Sequence, residues 1–164
     1  MTSAHDAPDR DTLLAAARSA AMQAYAPYSR FRVGAAVVVT SPEGPRIVTG
    51  ANVENAAYGL GLCAERSALA AACALTAATR PADNEARVAS APTITQVAIA
   101  CVDAPENAAP GERMPCGACR QWLAELAPDA VYYVDGLADD LTLADLLPHP
   151  FRLGVRGPRG ASPR

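Results

Sequence analysis

Cys116 and Cys119 stand two residues apart in Pro115-Cys116-Gly117-Ala118-Cys119-Arg120, where a helix-forming run begins. Cys63 opens a second such run in Cys63-Ala64-Glu65-Arg66. A C-x-x-C at a helix start lets both sulfurs point at one metal ion, and the helix N-terminus favours their thiolate form. Taken alone, that pair has a redox reading, and also a structural-zinc reading that needs four protein ligands. The cysteine count narrows the choice. The chain has five cysteines and no second C-x-x-C; Cys63, also at a predicted helix N-terminus, offers the third ligand. Three thiolates keep one tetrahedral position open to water, the arrangement of a catalytic zinc rather than a structural one. A fold that serves such a site must bring two separate helix starts together.

Zinc lowers the pKa of a bound water to roughly 7, so the remaining need is a group that collects and delivers its proton. Glu65, two residues from Cys63, is placed to face the metal without binding it.

The segments around these motifs alternate in type. Residues 1–8 read as a flexible leader. Asp9 or Asp11 caps a helix running to about Tyr25, with Leu13, Leu14, Ala17, Ala21 and Ala24 on its buried side. Phe31 to Thr40 is a β-branched, apolar run; Ser41-Pro42-Glu43-Gly44 turns it, and Arg46 to Val53 returns as the second strand of a hairpin. A helix is predicted from Cys63 to about Thr79, an exposed loop over 80–93, a strand over Ile94–Val102, and a helix opened by Cys116 and ended by Pro128. A fourth strand spans Val131–Val134. A short fifth lies near Asp140-Leu141, before a small helix at Leu143–Leu147. The expected fold class is α/β: a catalytic domain over 9–153 with helices on both faces of one mixed sheet, followed by a disordered tail over 154–164.

At 164 residues, such a domain buries most of its apolar surface without disulfides. No apolar run reaches the ~18 to 20 residues that span a bilayer. The acidic stretch with Asp6, Asp9 and Asp11 lacks the features of a signal peptide, so the expectation is a cytoplasmic protein. Net charge is −3, and every basic residue is an arginine. The arginines are scattered except near the C-terminus, which argues against a nucleic-acid partner, since phosphate binding calls for a basic face.

Several separate motifs occur together: Tyr25-Ala26-Pro27-Tyr28-Ser29, Phe31-Arg32-Val33-Gly34, Asn52-Val53-Glu54-Asn55, and the two cysteine segments. In this order they resemble the cytidine deaminases, specifically the small homotetrameric kind that act on free nucleosides. The resemblance runs from the first helix to Phe151, and zinc deaminases pair a P-C-x-x-C segment with a non-ligand glutamate. It implies a three-layer α/β/α fold with a five-stranded mixed sheet and one zinc per chain. It further implies hydrolysis of cytidine and 2′-deoxycytidine to the uridines with release of ammonia, as in pyrimidine salvage. Water activated by the metal would add at C4 while Glu65 protonates N3 and then the departing amine. The Ala64 N–H would meet the base carbonyl, Asn52 and Glu54 the sugar hydroxyl, and Phe31 would line the base pocket. Arg66 would offset the net negative charge of zinc with three thiolates. Ala56, Tyr58 and Phe151 would complete the pocket of an adjacent subunit in a homotetramer.

Other residues read more plainly. Cys73 and Cys101 fit core packing, as free cysteines usually do; Trp122, Tyr132 and Tyr133 read as packing residues, and His5 and His149 as incidental. A deaminase of a related nucleoside such as blasticidin S uses the same metal motifs, and a structural-zinc module is the non-enzymatic alternative.

Overall fold

Asp9 is the N-cap of helix α1 (Arg10–Ala21), its carboxylate accepting the Thr12 N–H at 2.8 Å. The structure is a computed structural model, described over residues 7–41, 43–75 and 91–153. The predicted leader, loop and tail lie wholly or largely outside those residues. Leu13, Leu14, Ala17 and Ala21 form the buried stripe of α1. The helix stops at Ala21 rather than near Tyr25 because the Tyr25 backbone is used elsewhere. Its N–H donates to Asn52 O at 3.0 Å, and its carbonyl accepts the Glu54 N–H at 2.8 Å.

Strands β1 (Val33–Ser41) and β2 (Gly44–Ala51) form the hairpin, antiparallel, with Val37 opposite Val48. Helix α2 (Ala64–Leu75) follows. Strand β3 (Ile94–Cys101) pairs antiparallel with β1, and β4 (Val131–Val134) lies parallel to β3 after helix α3 (Gly117–Leu126) crosses between them. The order β2-β1-β3-β4 makes a mixed sheet of four strands among the described residues.

That count corrects the expectation of five. Leu141 makes a single antiparallel bridge to Tyr132, with both N–H···O distances 2.9 Å. The next residue, Thr142, already serves as N-cap of the short helix α4 (Leu143–Leu146), donating its N–H to the Asp145 carboxylate at 2.8 Å. No length is left for a strand.

Alternation along the strands builds two cores. Ala36, Val38, Ala98, Ala100 and Tyr133 meet Leu13, Leu14 and Ala17 of α1 on one face. Ala35, Val37, Val97, Ile99 and Tyr132 meet Ala64, Ala68, Leu69 and Leu123 of α2 and α3 on the other. The result is the expected three layers. No helix among the described residues is long and apolar enough to cross a membrane.

Two glycines let the layers approach closely. A methyl at Gly34 would overlap the Ala17 carbonyl and Ala21 amide of α1, and one at Gly50 would overlap the backbone of Ala64 and Ala68 in α2. Neither helix backbone has a rotamer with which to yield. Gly50→Ala is therefore expected to lower stability by about 3 kcal/mol, the upper range for overpacking, in chemical denaturation. Gly59→Ala, where no atom lies within 4 Å of an added methyl, serves as the matched control and stays close to wild type.

Candidate metal centre and active site

The second core carries the chemistry, because it is where the N-termini of α2 and α3 meet. Cys63 immediately precedes α2, Cys116 is the N-cap of α3, and Cys119 sits buried in the first turn of α3. The Sγ atoms of Cys116 and Cys119 are 3.5 Å apart, and those of Cys63 and Cys116 4.0 Å apart. All three lie within 4.8 Å of one another, and among the described residues no fourth Cys, His, Asp or Glu joins them. A tetrahedral site with ~2.3 Å Zn–S bonds has S···S edges of ~3.8 Å, so the trio matches a zinc ion with one position open.

The electrostatic surroundings of the three sulfurs are unequal. Both helix dipoles direct their positive ends at the sulfurs. The Cys63 thiol is lowered to about 5, first by the hydrogen bond from Cys119 and further by the Arg66 guanidinium. Cys119, sharing that bond and buried, moves upward instead. Arg66 donates to Cys63 Sγ at 3.6 Å and to Gly61 O at 3.0 Å, while its buried Nε has no acceptor among the described residues. A guanidinium held this way against three sulfurs suits a centre of net negative charge. Arg120, which the sequence did not single out, donates to Pro115 O and Leu146 O at 2.8 Å each and so braces the C-x-x-C turn on α4.

Glu65 is only 4% exposed, the one buried carboxyl among the described residues, and burial raises its proton affinity. It opens onto a cavity of about 470 Å³ that Phe31, Asn52, Glu54, Cys63, Ala64 and Cys116 also line. Sequence reading missed Ser29, Cys101 and Met114 on the same lining. Cys101 had been read as core; it is buried, but at the cavity wall.

The nominated sugar contacts have further duties. Asn52 Oδ1 accepts the Val33 N–H at 2.8 Å and its Nδ2 donates to Phe31 O at 2.9 Å, so the amide imitates a strand backbone where β1 begins. One amide hydrogen and one lone pair of Asn52 remain for a ligand. Glu54 accepts the N–H groups of Tyr28 at 2.9 Å and Ser29 at 3.2 Å and the Ser29 hydroxyl, which chiefly holds its carboxyl below the ordinary range.

Three nominated residues stand outside this cavity. Ala56 is exposed, and Tyr58 is 81% exposed, touching Tyr28 edge to face at 6.2 Å. The Phe151 ring is 70% exposed, yet its main chain is fixed by Gln121, which donates to Phe151 O at 2.8 Å and accepts its N–H at 3.0 Å. Trp122, next in sequence to Gln121, is 40% exposed rather than packed in the core.

A family model for the cytidine and deoxycytidylate deaminase zinc-binding region matches residues 8–135. The chain belongs to this deaminase family. The matched span contains Cys63, Glu65, Cys116 and Cys119 and ends before α4 and Phe151. A cytidine deaminase of Halalkalibacterium halodurans is 41% identical over 147 residues, 87% of this chain and 94% of that one. One from Mycobacterium tuberculosis is 41% identical over 145 residues, 88% of this chain and 91% of the other. The mixed α/β fold is also shared. The crystal structure of cytidine deaminase from Burkholderia pseudomallei superposes with a TM-score of 0.65 at 37% identity, over 88% of this chain and all of that one. The deaminase structure from Mycobacterium tuberculosis gives 0.66 at 35% identity, over 90% of this chain.

Proposed function

We propose that the protein hydrolyses cytidine and 2′-deoxycytidine to the corresponding uridines, releasing ammonia. The observation that carries this reading is Glu65, a buried carboxyl on the same cavity as three clustered thiols. Cys63, Cys116 and Cys119 would hold a zinc ion, whose contribution is to activate water as a nucleophile. Glu65 takes one proton of that water and delivers it to N3 of the pyrimidine as the C4–O bond forms. It then takes the second from the hydroxyl at C4 and passes it to the amine as the C4–N bond breaks and ammonia leaves. Its burial keeps bulk water from intercepting the transfer. Ala64, the first residue of α2, has an N–H outside the helix's own ladder, free to donate to the base carbonyl. The Phe31 ring packs on the base, and Asn52 and Glu54 take the sugar hydroxyl.

The exposure of Phe151, Ala56 and Tyr58 supports a pocket completed by a neighbouring copy, in a homotetramer. An apolar ring displayed to solvent on a fixed main chain suits a surface covered by another subunit. Unbridged thiols at Cys63, Cys101, Cys116 and Cys119 suit a reducing compartment such as the cytoplasm.

Ultraviolet absorbance with cytidine, 2′-deoxycytidine, cytosine, blasticidin S and single-stranded DNA, alongside zinc content per chain, tests the reading. Turnover of both nucleosides is expected; zinc-loaded protein that turns over neither overturns it. Arg66→Ala is expected to slow kcat by about 10- to 100-fold, the range for losing a partner of a metal ligand, with the thermal midpoint little changed. Wild-type rates in that variant would remove the role assigned to Arg66.

A further inference from the structure

We propose that Ser29 is a positioning residue that sets how strongly this site selects for the sugar hydroxyls of its substrate. The proposal rests on the cavity being a nucleoside site. Ser29 lies in the turn between α1 and β1, one residue before Arg30, whose φ of 57° is the only positive value at a non-glycine among the described residues. Its hydroxyl makes two bonds whose directions are forced. The Phe31 N–H can only donate, so Ser29 Oγ accepts it, at 3.0 Å. The Glu54 carboxylate can only accept, so the single hydroxyl proton goes to Glu54 Oε1. One side chain thus ties the residue nominated for the base to the residue nominated for the sugar.

Counting acceptor sites shows what this does for a ligand. An ionised carboxylate offers about four lone-pair sites. On Glu54 the Tyr28 and Ser29 N–H groups occupy Oε2, and the Ser29 hydroxyl occupies one side of Oε1. A single direction on Oε1 is left, and it is fixed in space because the other three are taken. A sugar hydroxyl donating there meets an acceptor already oriented, which is the condition under which one hydrogen bond contributes most to selectivity. Ser29 reaches both the main cavity and the adjoining concavity that contains Tyr28 and Tyr58, so it stands where the sugar end of a nucleoside would lie.

The test compares cytidine with 2′,3′-dideoxycytidine, which lacks the 2′ and 3′ hydroxyls and keeps the 5′ one. In Ser29→Ala the ratio of the two kcat/KM values is expected to fall about tenfold, through KM for cytidine, as for one lost bond to a charged group. kcat should stay within about twofold, since the thiols and Glu65 are untouched. Ser29→Thr, which keeps the hydroxyl, restores the ratio, and Ser29→Cys, of similar size but a weak donor, behaves like the alanine variant. Equal losses on both substrates, or an unchanged ratio, would overturn the proposal and leave Ser29 a structural residue. Wild-type protein that turns over neither nucleoside would instead overturn the nucleoside reading itself, and that arm is read first.

Discussion

Glu65→Gln is expected to keep its zinc and its thermal midpoint while cytidine turnover falls by about 10⁴-fold, the upper range for one proton-transfer group. Two features make the effect large. Glu65 would act at three points, on the water, on N3 and on the leaving amine, so one substitution removes all three transfers. It is also shut away from solvent at 4% exposure, so no bulk water stands ready to replace it. The amide fills the same volume and carries no charge to desolvate, so the fold has no reason to weaken. Metal analysis, thermal melting and single-turnover rates check the three parts separately. A variant that loses its zinc would show Glu65 to be a ligand; one that keeps wild-type turnover would take away its proton-transfer role.

Cys119→Ser is expected to weaken zinc binding well beyond the ~100-fold that loss of an outer hydrogen-bonding partner produces, and to abolish turnover with it. Cys119 is fully buried in the first turn of α3, with its sulfur 3.5 Å from that of Cys116. A serine oxygen there is shorter and stays protonated at neutral pH, so two thiolates are left to hold the ion. Cys73→Ser, at a cysteine outside the trio, should keep full metal content. Zinc per chain by metal analysis after dialysis against a moderate chelator decides the matter. Full occupancy in the Cys119 variant would break the three-thiolate assignment.

The metal centre could be read from the sequence because its signals are local: a two-residue cysteine spacing, two helix starts, and a glutamate beside one of them. The strands were legible for a related reason. Val37, Val38 and Val39 and the Ile94–Cys101 run are apolar enough to need cover on both faces, and both faces are covered. What stayed hidden depends on contacts between distant residues. Nothing near Ser29 announces that Glu54, 25 residues away, will take its proton. Gln121 gives no hint that its amide will hold Phe151, 30 residues on. The end of α1 was misplaced for the same reason, since Tyr25 leaves the helix to pair with Asn52 and Glu54. The fifth strand failed on length, because the Thr142 cap follows Leu141 at once.

Cys63 and Cys116 are 53 residues apart along the chain, so an ion shared between them works as a reversible staple. By the chain-entropy relation for cross-links, closing a loop of that length removes roughly 4 kcal/mol of freedom from the unfolded chain for as long as the ion stays bound. Lengthening the loop barely changes that figure. Ten extra residues between the two cysteines would add less than about 0.2 kcal/mol to the closure entropy. Connections between the two helices can therefore grow or shrink over generations while the staple holds, provided that α2 and α3 still dock their first turns side by side.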